Sequence, residues 1–302
     1  MNEMTEQEIS RKIKQELLTD FSTNNRKGIY AMTQKIMAYN SNKIEGSTLT
    51  SEQTASLFDT GTIVSNGVEV YKAKDIEEMN GHFKMFNQML KFIDEPLSKD
   101  LIKSYHYQLK SGVFEDMANG YPIGEFKNRK NIVSDIQTVN PLNVDSEMTS
   151  LLNDYYESEK DLLAIAKFHA NYERIHPFQD GNGRTGRIII FKQCLDSKII
   201  PVVIKDDTKE LYYNALHSAQ VENDFSKLIK YFSESQQIYF NYIKDFLNDY
   251  KELNTNHTIN ENKYIINESD TEYPSFKDID DISKKETKLT KEKITIERSP
   301  RL

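Results

Sequence analysis

The 302-residue chain has a single cysteine, Cys194. One cysteine excludes an intrachain disulfide and a cysteine-rich zinc site. Cys194 lies within RIIIFKQCL and reads as a small buried apolar residue. There is no excess of positive charge, because 39 Lys+Arg stand against 47 Asp+Glu for a net charge of -8. A general nucleic-acid binder needs a basic face, so no nucleic-acid partner is expected. No run of about 18 apolar residues occurs, so no membrane span is expected. The N-terminus, MNEMTEQEISRKIKQELL, lacks the apolar core of a signal peptide, and a cytoplasmic location is the expectation. HExxH is missing, which argues against a zinc hydrolase, and no Gly-Lys-Ser/Thr completes a Walker loop.

What is there is mostly helical spacing. EQEISRKIKQELLTDF places Ile9, Ile13, Leu17 and Phe21 at steps of four. GIYAMTQKIMAYNSNKIEG reads as a second helix, with Gly46 placed to end it. Thr50 caps a short segment after it. Further helices are expected in KDIEEMNGHFKMFNQMLKFI, DLIKSYHYQLKSG, DLLAIAKFHANYERI, RTGRIIIFKQCLD, KELYYNALHSAQ and FSKLIKYFSESQQIYFNYIKDFL. KNIVSDIQTV alternates weakly and suggests a hairpin turning near Ser134-Asp135. Pro201 makes IIPVVI an edge strand or a loop. The expected class is mainly α with one small β-hairpin. The expected organisation is N-terminal helices over 1–60, a main domain over 61–250 and a polar tail over 251–302 that cannot bury enough surface to fold alone.

IHPFQDGNGRTGR, residues 175–187, carries the chemistry. Its Gly181-Asn182-Gly183-Arg184-Thr185-Gly186 is literally G-x-G-x-x-G, but that dinucleotide fingerprint must follow a buried strand. Here Leu162, Ile165, Ala166, His169 and Tyr172 form a helical stripe before the loop. The reading is therefore helix–loop–helix. Small residues let backbone N–H groups approach an anion at a helix N-terminus. Arg184 and Arg187 share one face of that helix, and guanidinium forks suit phosphate oxygens. His176 can take a proton from an alcohol, and Asp180 beside a polyphosphate suits Mg²⁺. His106 and His169 read as packing or capping residues.

At these residues the chain resembles the Fic family, whose motif HPFx(D/E)GNGRxxR is matched at every fixed position. The resemblance covers roughly residues 70–245 and implies a Fic-type helical domain with a hairpin flap. It implies a protein adenylyltransferase that moves AMP from ATP to a Ser, Thr or Tyr hydroxyl of a target protein, or of itself. By that resemblance His176 is the base and Asp180 binds Mg²⁺. Gly181, Asn182 and Gly183 form the anion hole, and Arg184 and Arg187 grip the terminal phosphates. Gly183, where related kinases carry Lys, favours AMP transfer. The flap, expected at Ile132, Val133, Ser134, Asp135 and Ile136, would pair with the target's backbone.

SNKIEG, residues 41–46, resembles the inhibitory motif (S/T)xxxE(G/N) found with many members of the family. Ser41 and Glu45 share a helix face, with Gly46 behind them. Glu45 is expected to pair bidentately with Arg187 and occupy the γ-phosphate site. Two alternatives use the same residues: removal of AMP from a modified protein, and an ATP-sensing module without transfer. A homodimer is compatible with all three.

Overall fold

A computed structural model describes residues 4–63, 70–133 and 136–247. The chain divides into Met1–Ile259 and Asn260–Leu302, and the second unit, with the whole 251–302 tail, lies outside the described residues. Eleven α-helices occur among them, and the only strands are two residues each.

The first helices begin and end as their sequences dictate. α1 (Glu6–Ser22) opens with a capping box in which Thr5 and Glu8 bond each other's backbone N–H. It buries Ile9, Ile13 and Leu17. α2 (Ile29–Ile44) runs into Glu45, and Gly46 turns the chain away at φ +89. α3 (Ser51–Thr60) is capped by Thr50, again with a reciprocal bond from Gln53.

α4 (Ala73–Lys91) and α5 (Lys99–Lys110) pack at unusually close range. A Cβ on Gly81 would lie 2.0 Å from the Leu109 carbonyl oxygen, so only glycine permits this approach. The consequence reaches the functional region, because it brings Lys110 of α5 to Glu78 of α4. α6 (Phe114–Ala118) follows. β1 (Ile132–Val133) and β2 (Ile136–Gln137) pair antiparallel, Ile132 with Gln137 and Val133 with Ile136.

α7 (Val144–Glu157) is a helix not among those expected from the sequence, and Val144, Met148, Leu151, Leu152 and Tyr155 form its buried stripe. IIPVVI is a loop whose Ile200, Val202, Val203 and Ile204 are buried. α8 (Leu162–Ile175) and α9 (Asn182–Asp196) flank the glycine loop, so the order is helix–loop–helix. α10 (Lys209–His217) and α11 (Ser226–Ile243) close the series.

α9 is the central element. Of its fifteen residues only Gly183 and Asp196 are not buried. Its polar residues are buried with the apolar ones, and Arg184, Arg187 and Lys192 each find partners inside the protein. Ile188, Ile189 and Phe191 join one core with α1, α2 and α4. Ile190 and Cys194 join a second with α8, α10 and α11. Burial pushes the Cys194 thiol up to about 12, which makes it an inert core residue. Among the described residues no helix is long and apolar enough to cross a membrane.

Candidate functional site

The site is built where α8 stops. His176 caps that helix in the left-handed region, φ 52 and ψ 63, with its N–H donating 2.9 Å to the Tyr172 carbonyl. Such backbone is uncommon for a residue with a Cβ, though histidine tolerates it better than most, and here it ends the helix. Pro177 then forbids any continuation of the helix. Phe178 is fully buried and its ring stacks on His106 at 3.9 Å and 1°. The side chain of Asn182 holds the loop closed, accepting from the Phe178 N–H at 2.7 Å and donating to the Phe178 carbonyl at 2.9 Å. Gly181, at φ +80, turns the chain into α9, whose N-terminus has no side-chain cap. The first N–H groups of such a helix lack intrahelical acceptors and face outward for an anion.

His106 does more than pack. The Gly124 N–H donates to its Nδ1 at 2.9 Å, so the proton sits on Nε2, which donates 3.0 Å to the Asp180 carbonyl. α5 thereby fixes the Asp180 backbone. Burial holds the His106 imidazole neutral, pushed down to about 3.

Asp180 is also held through its carboxylate. Oδ1 accepts from the Gly181 N–H at 2.7 Å, and Oδ2 lies 2.7 Å from Lys110 Nζ and 3.6 Å from Arg184. Burial works against ionisation, yet the cations of Arg184 and Lys110 hold the carboxyl well below its ordinary range. Lys110 is buried and also bonds Glu78 at 2.6 Å and pairs with Asp116. Glu78 in turn pairs through its second oxygen with Arg184 at 2.6 Å. Oxygens of Glu78, Asp116 and Asp180 lie within 4.8 Å of one another, around the Lys110 ammonium. Of the three carboxylates only Asp180 is substantially exposed, at 36%. A hard oxygen donor with an open face fits Mg²⁺, which takes one or two carboxylates and leaves positions for phosphate and water. Neither Glu78, Lys110 nor Asp116 stood out in the sequence, since each belongs to an ordinary amphipathic helix and only the Gly81 crossing unites them.

His176 is mostly buried. Its Nδ1 lies 3.4 Å from the Glu173 carbonyl and 4.0 Å from the Glu173 carboxylate. A proton on Nδ1 leaves Nε2 to accept one. Burial first, and the positive charge of Lys127 second, push the imidazole down to about 4. It is therefore neutral at neutral pH, with the Nε2 lone pair unprotonated. Burial pushes the neighbouring Glu173 carboxyl up to about 8.

The two arginines are both buried and both engaged. Arg184 donates to Asn42 at 3.3 Å as well as pairing with Glu78. Arg187 meets the end of α2: Nε donates to Ser41 Oγ at 2.8 Å, and Nη2 donates to the Ser41 carbonyl at 3.0 Å and to Glu45 Oε1 at 2.7 Å. Glu45 thus meets Arg187 through one oxygen rather than the two-oxygen fork expected from the sequence, because Ser41 takes the guanidinium's other edge. Glu45 also lies over Gly183, where a Cβ would stand 2.5 Å from Glu45 Oε1 and 2.9 Å from Arg187 Nη1. The structure therefore brings Ser41, Glu45, His176, Asp180, Gly181, Asn182, Gly183, Arg184 and Arg187 to one place. Gly46 contributes a turn rather than a contact. The pairing of Ile132, Val133 and Ile136 is described, whereas Ser134 and Asp135 lie outside the described residues.

The profile of the family described as Fic/DOC matches residues 96–194, a shorter span than the motif suggested. The protein adenylyltransferase Fic of Nematostella vectensis is 25% identical over 187 residues, covering 60% of this chain and 42% of that protein. The protein adenylyltransferase fic-1 of Caenorhabditis elegans is 25% identical over 215 residues, covering 68% of this chain and 40% of that protein. The chain thus spans less than half the length of these curated relatives. Among solved structures, a Fic-domain-containing signalling protein from Bacteroides thetaiotaomicron aligns with TM-score 0.63 and 26% identity, covering 78% of this chain and 97% of that one.

Proposed function

We propose, from the match of residues 96–194 to the Fic/DOC family profile and from the geometry of the site, that the chain is an autoinhibited protein adenylyltransferase. It moves AMP from ATP to a Ser, Thr or Tyr hydroxyl of a target protein and of itself. The observation that carries this reading is the loop between α8 and α9. It sets a neutral imidazole, a cation-held carboxylate and an uncapped helix N-terminus side by side.

In the proposed reaction His176 Nε2 accepts the proton of the target hydroxyl. The freed oxygen forms a bond to the α-phosphorus, and the bond from that phosphorus to the β-bridging oxygen breaks. Pyrophosphate leaves. Backbone N–H groups at Asn182 and Gly183 would stabilise the charge gathering on the phosphate oxygens, while Gly181, whose N–H is held by Asp180 Oδ1, turns the chain into α9. Asp180 would hold Mg²⁺, which when bound neutralises the triphosphate. Arg184 and Arg187 would grip the terminal phosphates, where alignment and neutralisation matter more than covalent help. The hairpin around Ile132, Val133 and Ile136 would present the target by strand addition.

Inhibition in this reading is occupancy. Glu45 and Ser41 sit on the guanidinium that the γ-phosphate would need. The experiment is incubation of wild type and Glu45→Gly with labelled ATP and Mg²⁺. Protein-bound label from Glu45→Gly supports transfer, whereas nucleotide bound without any label points to a sensing module. Label released from a pre-modified target would mark the reverse reaction.

A further inference from the structure

Lys127 lies outside the catalytic motif, yet it is almost fully buried, at 3% exposure. Its Nζ donates to Asn131 Oδ1 at 2.7 Å, Thr138 Oγ1 at 2.8 Å and the Ile175 carbonyl at 3.2 Å. Three acceptors match the three protons of an ammonium. All three are neutral, so the charge itself is not paired by any of them. A buried charge without a counter-ion is costly, and burial pushes this ammonium down to about 8. Packing alone would be served by an apolar side chain, so the charge calls for an explanation.

The contacts supply it. Asn131 and Thr138 bracket the β1–β2 hairpin, and Thr138 Oγ1 donates to the Asn131 carbonyl at 2.8 Å. Ile175 immediately precedes His176. The Lys127 N–H donates to the Pro177 carbonyl at 2.8 Å, and Asn131 Nδ2 donates to the Phe178 carbonyl at 3.1 Å. Both sides of His176 are thus tied, through Lys127, to the base of the hairpin. The groups that face His176 are Glu173 from α8, Glu45 from the end of α2, Asp180 from the loop and Lys127. The carboxylates of Glu45 and Asp180 favour a protonated imidazole, and Lys127 is the cation that opposes them.

We propose that Lys127 is a positioning residue with two effects: it sets the hairpin's register against His176, and its positive charge adds to burial in opposing protonation of that imidazole. This rests on the reading of His176 as the base. The hairpin and the base are therefore braced against one another through Lys127.

The test uses full-length Glu45→Gly as parent, with Lys127→Met and Lys127→Arg added separately, and follows self-labelling from labelled ATP across pH. The expected result for Lys127→Met is a labelling rate about tenfold lower at pH 7, as loss of a hydrogen bond to a charged group implies. ATP half-saturation stays unchanged. Its acid limb moves up by about one pH unit, since removing the cation lets the imidazole protonate earlier. Lys127→Arg, which keeps the charge, restores the acid limb. An acid limb that does not move in Lys127→Met overturns the inference, as does a parallel loss of ATP binding measured by calorimetry. A parent that binds ATP and labels nothing overturns the reading of the site itself, and the role of Lys127 with it.

Discussion

Glu45→Gly removes a carboxylate oxygen from 2.7 Å of Arg187 Nη2 and leaves both Ser41 contacts in place. Arg187 is freed without being released. A hydrogen bond to a charged group contributes about 1.5–3 kcal/mol net. Glu45 is 32% exposed, so solvent screens part of that and the lower end applies. About 1.4 kcal/mol corresponds to a factor of ten in binding, so productive ATP binding should tighten about tenfold. Glycine adds little cost here, because Glu45 is the helix cap rather than an interior residue. The freed guanidinium is 4% exposed, so the variant should also unfold more easily until ATP is added. The assay is label transfer from ATP over a range of nucleotide concentrations, with thermal unfolding in parallel. A labelling rate at low ATP within twofold of wild type, with ATP bound normally, would refute the reasoning. Glu45→Gln separates charge from bulk: it should fall between wild type and Glu45→Gly, and a fully inhibited Gln variant would mean that Glu45 acts by filling space.

His176→Ala should abolish label transfer while keeping ATP binding, since the imidazole is not among the anion-holding groups; retained transfer in the Glu45→Gly background would exclude it as the base. Gly81→Ala should destabilise the protein by about 1–3 kcal/mol or more, the usual cost of overpacking, because its Cβ would meet backbone rather than a movable side chain; the urea midpoint measures it, and an unchanged midpoint would show that α4 and α5 can part freely. Acid should weaken the fold well above the carboxylate range. His82 and His169 are fully buried, and burial pushes both down to about 3. An unfolded histidine takes its proton near pH 6.5, so the unfolded state binds more protons between about pH 6.5 and 3. Stability is then full above that window and is lost as pH falls through it, by about 1.4 kcal/mol per pH unit for each residue. A urea midpoint that is the same at pH 7.5 and 5.5 would contradict this.

The helices and the loop were legible because their signals are local. Ile9, Ile13 and Leu17 repeat at a helical period, Thr50 and Gly46 punctuate, and HPFQDGNGR is contiguous. The Ser41–Glu45 contact was legible for a different reason, since one short motif placed two polar side chains on one face of α2. What stayed hidden depends on assembly. Nothing in the spacing of α4 and α5 says that Lys110 will stand among Glu78, Asp116 and Asp180. Nothing near His106 shows that its ring will stack on Phe178 and grip the Asp180 backbone. Nothing in the sequence around Lys127 sets it apart from other lysines, and only the folded chain buries it. α7 is the exception, because its stripe from Val144 to Tyr155 is as local and periodic as that of α1.

The burial of α9 on every side has an evolutionary corollary. The stretch that would meet phosphate is also the beam on which two cores rest. Drift in that stretch is filtered for folding before it is filtered for activity. Tolerated change is therefore expected away from α9, in the hairpin, where a substitution can be tried without putting the whole molecule at risk.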